Sequence, residues 1–122
     1  MSFFRRAVLY AQIGKDWLRV RNVSTGKEIE RNSTIPFSSD RLVVADFKTA
    51  EKELVHAVKE VAARQILWRP DVVIHQLNTN PEELSEVGER VLKELASFAR
   101  KAVVYVGSPL TDREVEAWLR QA

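Results

Sequence analysis

Cysteine is absent from this 122-residue sequence. Its absence excludes disulfide bonds, a thiol nucleophile and any zinc site built on cysteine thiolates. Because a fold without disulfides does not depend on an oxidising compartment, we expect a cytoplasmic protein.

Long apolar runs are also missing. None of the runs approaches the roughly 18 residues that a membrane-spanning helix needs. Hydrophobic residues make up 45% and charged residues 30%, which is typical of a globular chain. The 19 basic and 17 acidic residues are interleaved, so no basic patch predicts a nucleic-acid partner. The length fits a single domain over residues 1–122 with one core.

The amino terminus combines aromatic and basic side chains in Phe3, Phe4, Arg5 and Arg6. This pairing suits contact with an anionic membrane surface, although so few apolar anchors give only weak binding. The alternative interpretation is a frayed terminus that leads into a strand. The apolar run that follows alternates like a strand and has no small-residue cleavage site, which argues against a signal peptide.

Period-two patterns predict a three-stranded meander in the first third of the chain. Apolar residues occupy 7–13, and residues 17–23 alternate in polarity. The turn at 14–16 joins these two segments as a hairpin. A third, weaker strand is expected at 28–35, where Pro36 ends it.

Helices and buried strands alternate in the remaining sequence. The first helix follows Asp46, whose carboxylate fits an N-cap, and strands are expected at 71–77 and 103–106. Asn80 as N-cap and Pro81 at the first helical position predict the start of the second helix. The spacing of Thr111 and Glu114 predicts a capping box before the third. The apolar stripes of the three helices are Leu54, Val58, Val61 and Gln65, then Leu84, Val87, Val91, Leu95 and Phe98, and finally Val115, Trp118 and Leu119.

The predicted order is therefore β-β-β-α-β-α-β-α. A meander followed by two strands linked through helices indicates an α/β fold with a mixed five-stranded sheet, as in ribonuclease-H-like and actin-like half-domains. In such a sheet we expect Val72, Ile74, Val104 and Val106 to lie in central strands.

The glycine turn in YAQIGKDW, residues 10–17, is the feature nearest to a chemical motif. A phosphate cradle needs several converging backbone amides, usually with a helix amino terminus behind them. Gly14 is instead followed by another strand, which favours a plain hairpin.

A ribonuclease-H-like nuclease needs clustered carboxylates for two metal ions, one of them on the first strand. Gln12 occupies that strand, and Asp46 and Asp71 have capping and strand-start positions. His56 and His75 lack metal-ligand spacing, and Ser108 lacks the context of a nucleophile elbow. We therefore expect no catalytic residue and no metal site.

The segment 44–56 carries a family resemblance. Val44, Ala45, Asp46 and Phe47 are followed by Thr49, Glu51, Lys52, Leu54 and His56. This pattern resembles the rod-shape-determining bacterial actin family, MreB, in which an I-A-D-F segment leads into a helix with T-E-K-x-L-x-H. The resemblance is strongest over 43–61 and covers most of the chain at lower specificity.

The resemblance implies part of the first lobe of a bacterial actin with its nucleotide motifs missing. The family's first phosphate loop reads D-x-G-T, and Gln12, Gly14 and Lys15 stand at three of those positions. Ser108 replaces the glutamate that helps to position water, and the second phosphate loop would lie beyond Ala122. We therefore expect no bound cofactor and no ATP hydrolysis.

The resulting hypothesis is a non-catalytic, actin-like protein-interaction module, with a link to the bacterial cell-shape machinery implied by the resemblance. The alternatives are a ribonuclease-H-fold nuclease or resolvase, and a membrane-peripheral adaptor. A lobe without its usual neighbours exposes apolar surface, so we expect self-association or a protein partner. The expected interface residues are Trp68, Val115, Trp118 and Leu119.

Overall fold

The computed structural model describes residues 6–62 and 69–122. They form an α/β fold, and the predicted order of elements is confirmed. No helix within these two ranges is both long enough and apolar enough to cross a membrane. The elements are β1 (Val8–Gly14), β2 (Trp17–Asn22), β3 (Glu28–Asn32), α1 (Phe47–Ala62), β4 (Asp71–Gln76), α2 (Glu86–Leu95), β5 (Lys101–Tyr105) and α3 (Asp112–Gln121), with a 3-10 turn at Pro81–Glu83.

The sheet is mixed, with strand order β3-β2-β1-β4-β5. β2 runs antiparallel to β1 and β3, whereas β4 runs parallel to β1 and β5. The expectation that Val104 lies in a central strand is therefore wrong, because β5 is an edge, and Val106 lies beyond its end. A short apolar run looks the same in a central and in an edge strand, so the pattern could not decide this.

The two faces of the sheet are covered unequally. α1 and α2 pack on the face that carries Leu9, Ala11 and Ile13 of β1, where most of the buried apolar residues lie. α3 covers the other face with a smaller apolar cluster of Tyr10, Val73, Val115 and Leu119. β1 is consequently buried from both sides, as expected for the middle strand.

Two of the three predicted helix starts are confirmed. The Asp46 carboxylate accepts the N–H of Thr49 at 3.1 Å, and Thr111 and Glu114 form the reciprocal capping box. The predicted start of the second helix is wrong, because Asn80 makes no side-chain cap and the N-cap of α2 is Ser85.

The chain is extended at Leu84, between the 3-10 turn and α2, so the apolar stripe extrapolated from Leu84 does not continue along the helix. Leu95 is buried as predicted, and Leu84 and Phe98 pack partly against the core. Val87 is 68% exposed, against the prediction, and Leu92, which the predicted stripe omitted, is buried. On α1, Leu54, Val58 and Val61 are buried as predicted, and Gln65 lies outside the described residues.

Candidate functional site

The hairpin between β1 and β2 is a two-residue turn. Gly14 pairs with Trp17, which leaves Lys15 and Asp16 at the tip, and Asp16 takes the left-handed conformation with φ 50°. A Cβ at Gly14 would meet Leu77 Cδ1 at 3.5 Å, an ordinary contact, so the turn does not require glycine there. Gln12 is buried on the α3 face, away from the turn. The structure therefore places the Gln12 amide in a buried hydrogen bond to Tyr10 Oη and Lys15 at the exposed tip of a two-residue hairpin.

Asp16 anchors the loop that follows β3. Its carboxylate accepts the backbone N–H groups of Phe37 and Ser38, both at 2.7 Å, and its own N–H donates to Ser38 Oγ at 2.9 Å. Sequence reasoning missed this role. The tolerance of Asp for the left-handed conformation in a short turn is the one signal that could have indicated it.

A cleft of about 410 Å³ opens beyond the carboxyl ends of β1 and β4. In open α/β sheets, ligands bind at this position, outside the carboxyl ends of parallel strands. The lining comes from the hairpin tip, the loop before α1, the segment after β4 and the first turns of α2: Lys15, Ser39, Asp40, Arg41, Leu42, Val43, Val44, Gln76, Asn78, Thr79, Glu83, Leu84, Ser85, Val87, Gly88 and Val91.

The loop wall of the cleft is fixed by its own hydrogen bonds. Phe37 is 1% exposed and its carbonyl accepts the N–H groups of Ala45 and Asp46 at 2.7 and 2.9 Å. Ser39 Oγ accepts the backbone N–H of Leu42 at 3.0 Å, and the Leu42 side chain is 58% exposed. Because this backbone is already ordered, the loop should lose little further conformational entropy when a ligand contacts Leu42.

The hydroxyls in the cleft are engaged in local structure. Ser39 Oγ bonds the loop backbone, Thr79 Oγ1 donates to the carbonyl of Leu77 at 3.1 Å, and Ser85 Oγ caps α2 through Gly88. Lys15 lies 3.9 Å from the Asp40 carboxylate. Each of these three hydroxyls is therefore already bonded to the backbone around the cleft.

A second polar cluster is buried under α3. Tyr10 Oη and His75 Nδ1 are 2.7 Å apart, and His75 Nε2 lies 2.9 Å from the Gly107 carbonyl. The carbonyl can only accept, so Nε2 carries the proton and Nδ1 accepts from the Tyr10 hydroxyl. That hydroxyl in turn accepts from Leu110 N–H at 3.0 Å and Gln12 Nε2 at 3.3 Å. Every member has a partner, which is the mark of a structural network.

Burial controls the protonation states in this network. Desolvation lowers the pKa of His75 from its ordinary value, an effect partly offset by the hydrogen bond to Gly107. Desolvation also raises the pKa of Tyr10, and the hydrogen bond from the Leu110 N–H, which lowers this pKa, offsets only part of the increase. Both groups are therefore neutral at pH 7. Gly107 has φ 131°, and a Cβ there would lie 3.0 Å from Tyr105 Oη, so this position requires glycine.

The candidate nuclease carboxylates lie apart. Asp46 caps α1, and Asp71 lies at the amino end of β4, where it binds Arg100 at 2.7 Å. His56 is exposed on α1, and Ser108 offers its carbonyl to the Tyr105 hydroxyl. Within residues 6–62 and 69–122, no group of three or more His, Asp or Glu side chains could hold a metal ion.

The predicted interface residues separate into buried and exposed ones. Val115 and Leu119 are 0% and 5% exposed because they pack against the sheet, so they offer no free surface, whereas Trp118 is 40% exposed. Trp68 lies outside the described residues, as do Phe3, Phe4 and Arg5 of the predicted membrane contact. Arg6 is described, and its guanidinium donates to the Arg69 carbonyl at 2.6 Å.

Comparison with known proteins identifies a relative in Escherichia coli. No protein-family model matches the chain. The protein described as "Uncharacterized protein YjaA" of Escherichia coli (strain K12) is 33% identical over 128 residues, which cover 94% of this chain and 98% of that protein.

Proposed function

This chain belongs to the family of Escherichia coli YjaA, and we propose that it is a non-catalytic binding module whose cleft takes up a protein segment with an apolar side chain. The observation that carries the proposal is the exposure of Leu42 and Val87, 58% and 68%, on two separately ordered walls of one cleft. Exposed aliphatic side chains that share a concave site are typical of a binding surface.

The segment that fits is an extended one. Asn78 and Gln76 bring side-chain amides to the cleft, and amide groups hydrogen-bond the backbone of an extended peptide. The Gln76 Nε2 group already donates to Thr79 Oγ1 at 2.9 Å, which leaves the Gln76 amide oxygen to accept from the peptide. Leu42, Val87 and Val91 supply the apolar contacts. Asp40 lies beside Lys15, which lowers the attraction of that lysine for an anion.

We also propose that the mixed sheet is a ribonuclease-H-like or actin-like half-domain. A meander whose first strand also pairs in parallel with β4 supports a ribonuclease-H-like or actin-like half-domain. The resemblance of residues 43–61 to bacterial actin makes proteins of the cell-shape machinery the first partners to test. Because Gln12, Lys15 and Ser108 replace the nucleotide residues of that family, we propose that the chain does not hydrolyse ATP and binds it with an affinity no better than roughly millimolar.

Peptide display on the purified protein tests the proposal. Selected peptides should bind with a Kd that Val87→Glu and Leu42→Glu each raise by at least about tenfold in fluorescence anisotropy, because a charge replaces an apolar contact. Ile35→Glu is the matched control, since Ile35 is 62% exposed and lies outside the cleft.

Selected peptides whose affinity is insensitive to both cleft variants would contradict the proposed site. Micromolar binding of ATP with magnesium in calorimetry would contradict the proposed weak affinity for ATP. Circular dichroism of each variant checks that it is folded.

A further inference from the structure

β5 forms one edge of the sheet, and part of its backbone points away from the protein. Asp71 donates its backbone N–H to the carbonyl of Ala7, so the backbone polar groups of Asp71 point towards β1. Because these groups alternate in direction along a strand, those of Val72 and Ile74 point towards β5. Their partners in the register are Ala102 and Val104. In a parallel pair only one residue of each opposed pair bonds across, so the N–H and C=O groups of Ala102 and Val104 point outward.

The side chains of β5 do not protect this edge. The strand reads Lys101-Ala102-Val103-Val104-Tyr105, without proline and with a single charge at its beginning. All five residues of β5 are half-buried. Because helices cover both faces of the sheet, the solvent-exposed part of these residues lies along the free edge of the strand. Apolar edges of this kind pair readily with another strand.

The opposite edge shows what protection looks like. β3 carries Glu28, Glu30 and Arg31, and these charges form ion pairs with Arg19, Arg21 and Glu60. Charged residues along an edge strand oppose pairing with another chain. As far as residues 6–62 and 69–122 are concerned, β5 is the edge that is open to association.

We propose that β5 pairs antiparallel with β5 of a second copy, which joins the two sheets into one. The strand is complementary to itself in the register centred on Val103. Ala102 then lies opposite Val104 of the second copy and exchanges hydrogen bonds with it, while Lys101 lies opposite Tyr105, so the single charge never meets its own copy. The same operation centred on β3 would set Glu30 against Glu30, which is repulsive.

The face under α3 adds contact area to this junction. Trp118 packs edge-on against Tyr105 with ring centroids 5.4 Å apart and remains 40% exposed. The two-fold axis of an antiparallel junction is perpendicular to the sheet, so both α3 helices stay on one face and both Trp118 side chains flank the junction. Tryptophan is enriched at the centre of interfaces.

Sedimentation equilibrium and amide hydrogen exchange test the proposal without assuming the proposed cleft function. We expect a monomer–dimer equilibrium with a Kd on the order of tens of micromolar, as for a small interface. In the wild type, the Ala102 and Val104 amides should become protected as protein concentration rises. The β3 amides should not change with concentration.

Ala102→Pro removes an outward N–H that no described strand uses, and should raise the dimer Kd by at least about tenfold. Ile35→Glu, at an exposed position beyond the end of β3 and outside the cleft, is the control and should leave the dimer Kd unchanged. A strictly monomeric wild type up to about millimolar concentration overturns the proposal. Fast, concentration-independent exchange of both amides, or a dimer unaffected by a folded Ala102→Pro variant, would also overturn it.

Discussion

The two faces of the sheet are stabilised by different interactions. Under α1 and α2, Leu54, Leu92 and Ile74 belong to a large apolar core with a buried amide, Asn22, at its margin. Under α3, the apolar cluster is small and surrounds the hydroxyl of Tyr10 and the imidazole of His75. Packing volume should therefore dominate on the first face, and hydrogen-bond satisfaction should be decisive on the second.

The largest difference is expected from equal truncations on the two faces. Leu54→Ala, at 1% exposure beneath α1, should lower the free energy of unfolding by about 3–5 kcal/mol through lost burial and a residual cavity. Leu119→Ala lies in the last turns of α3, where neighbours can move into the space, and should cost about 2 kcal/mol. Urea titration measures both. A larger loss for Leu119→Ala would mean that α3 covers the greater core.

Removing one oxygen atom tests the polar face. Tyr10→Phe keeps the ring but leaves His75 Nδ1 without its donor and Leu110 N–H without its acceptor, at a cost of about 1–3 kcal/mol. Tyr105→Phe is the matched control, because its hydroxyl bonds the Ser108 carbonyl at the surface and should contribute less than about 1 kcal/mol. Equal losses would remove the distinction between a buried network and a surface bond.

Acidification should affect the α3 face first. Burial lowers the pKa of His75 in the folded protein. As the pH falls below the ordinary value of 6.5, His75 is therefore protonated in the unfolded chain before it is protonated in the folded protein. The stability that neutral His75 contributes is complete above that value and is lost as the pH falls towards the folded pKa. The slope should reach at most about 1.4 kcal/mol per pH unit.

Unfolding titrations at intervals from pH 7.5 to 5 would show this slope. The variant His75→Gln should flatten it. If the variant retains the full slope, another group is responsible for the pH dependence.

The sequence predicted the elements better than their arrangement. Period-two alternation and capping residues are local signals, so the strands, the Asp46 cap and the Thr111 capping box could be identified. The edge position of β5 depends on pairing between distant segments, which no local pattern encodes.

The same limit applies to the candidate site. Leu42 and Val87 are 45 positions apart in the numbering and line one cleft only because the loop before α1 and the amino end of α2 meet there. The motif that carries the resemblance to bacterial actin has local roles in this fold: Asp46 caps α1 and bonds Thr49, and Leu54 is buried in the core. A sequence pattern explained by capping and packing cannot by itself identify a function.

The smallest expected effect concerns the ion pair that ties α3 to the half-covered β2. Arg21 donates from Nε and Nη2 to both carboxylate oxygens of Asp112, at 2.9 and 3.0 Å. These hydrogen bonds lower the pKa of Asp112, so its contribution is present above the ordinary carboxyl pKa and is lost on acidification below it. The Asp112 side chain is 44% exposed, and solvent screening should limit the loss in Asp112→Asn to less than about 1 kcal/mol.

Glu116→Gln removes the same charge from an exposed position on α3 and serves as the control. Thermal unfolding in 0.05 M and about 1 M NaCl should show the Asp112→Asn deficit shrinking with salt. A deficit of several kcal/mol that salt leaves unchanged would instead place Asp112 within the buried network of the α3 face.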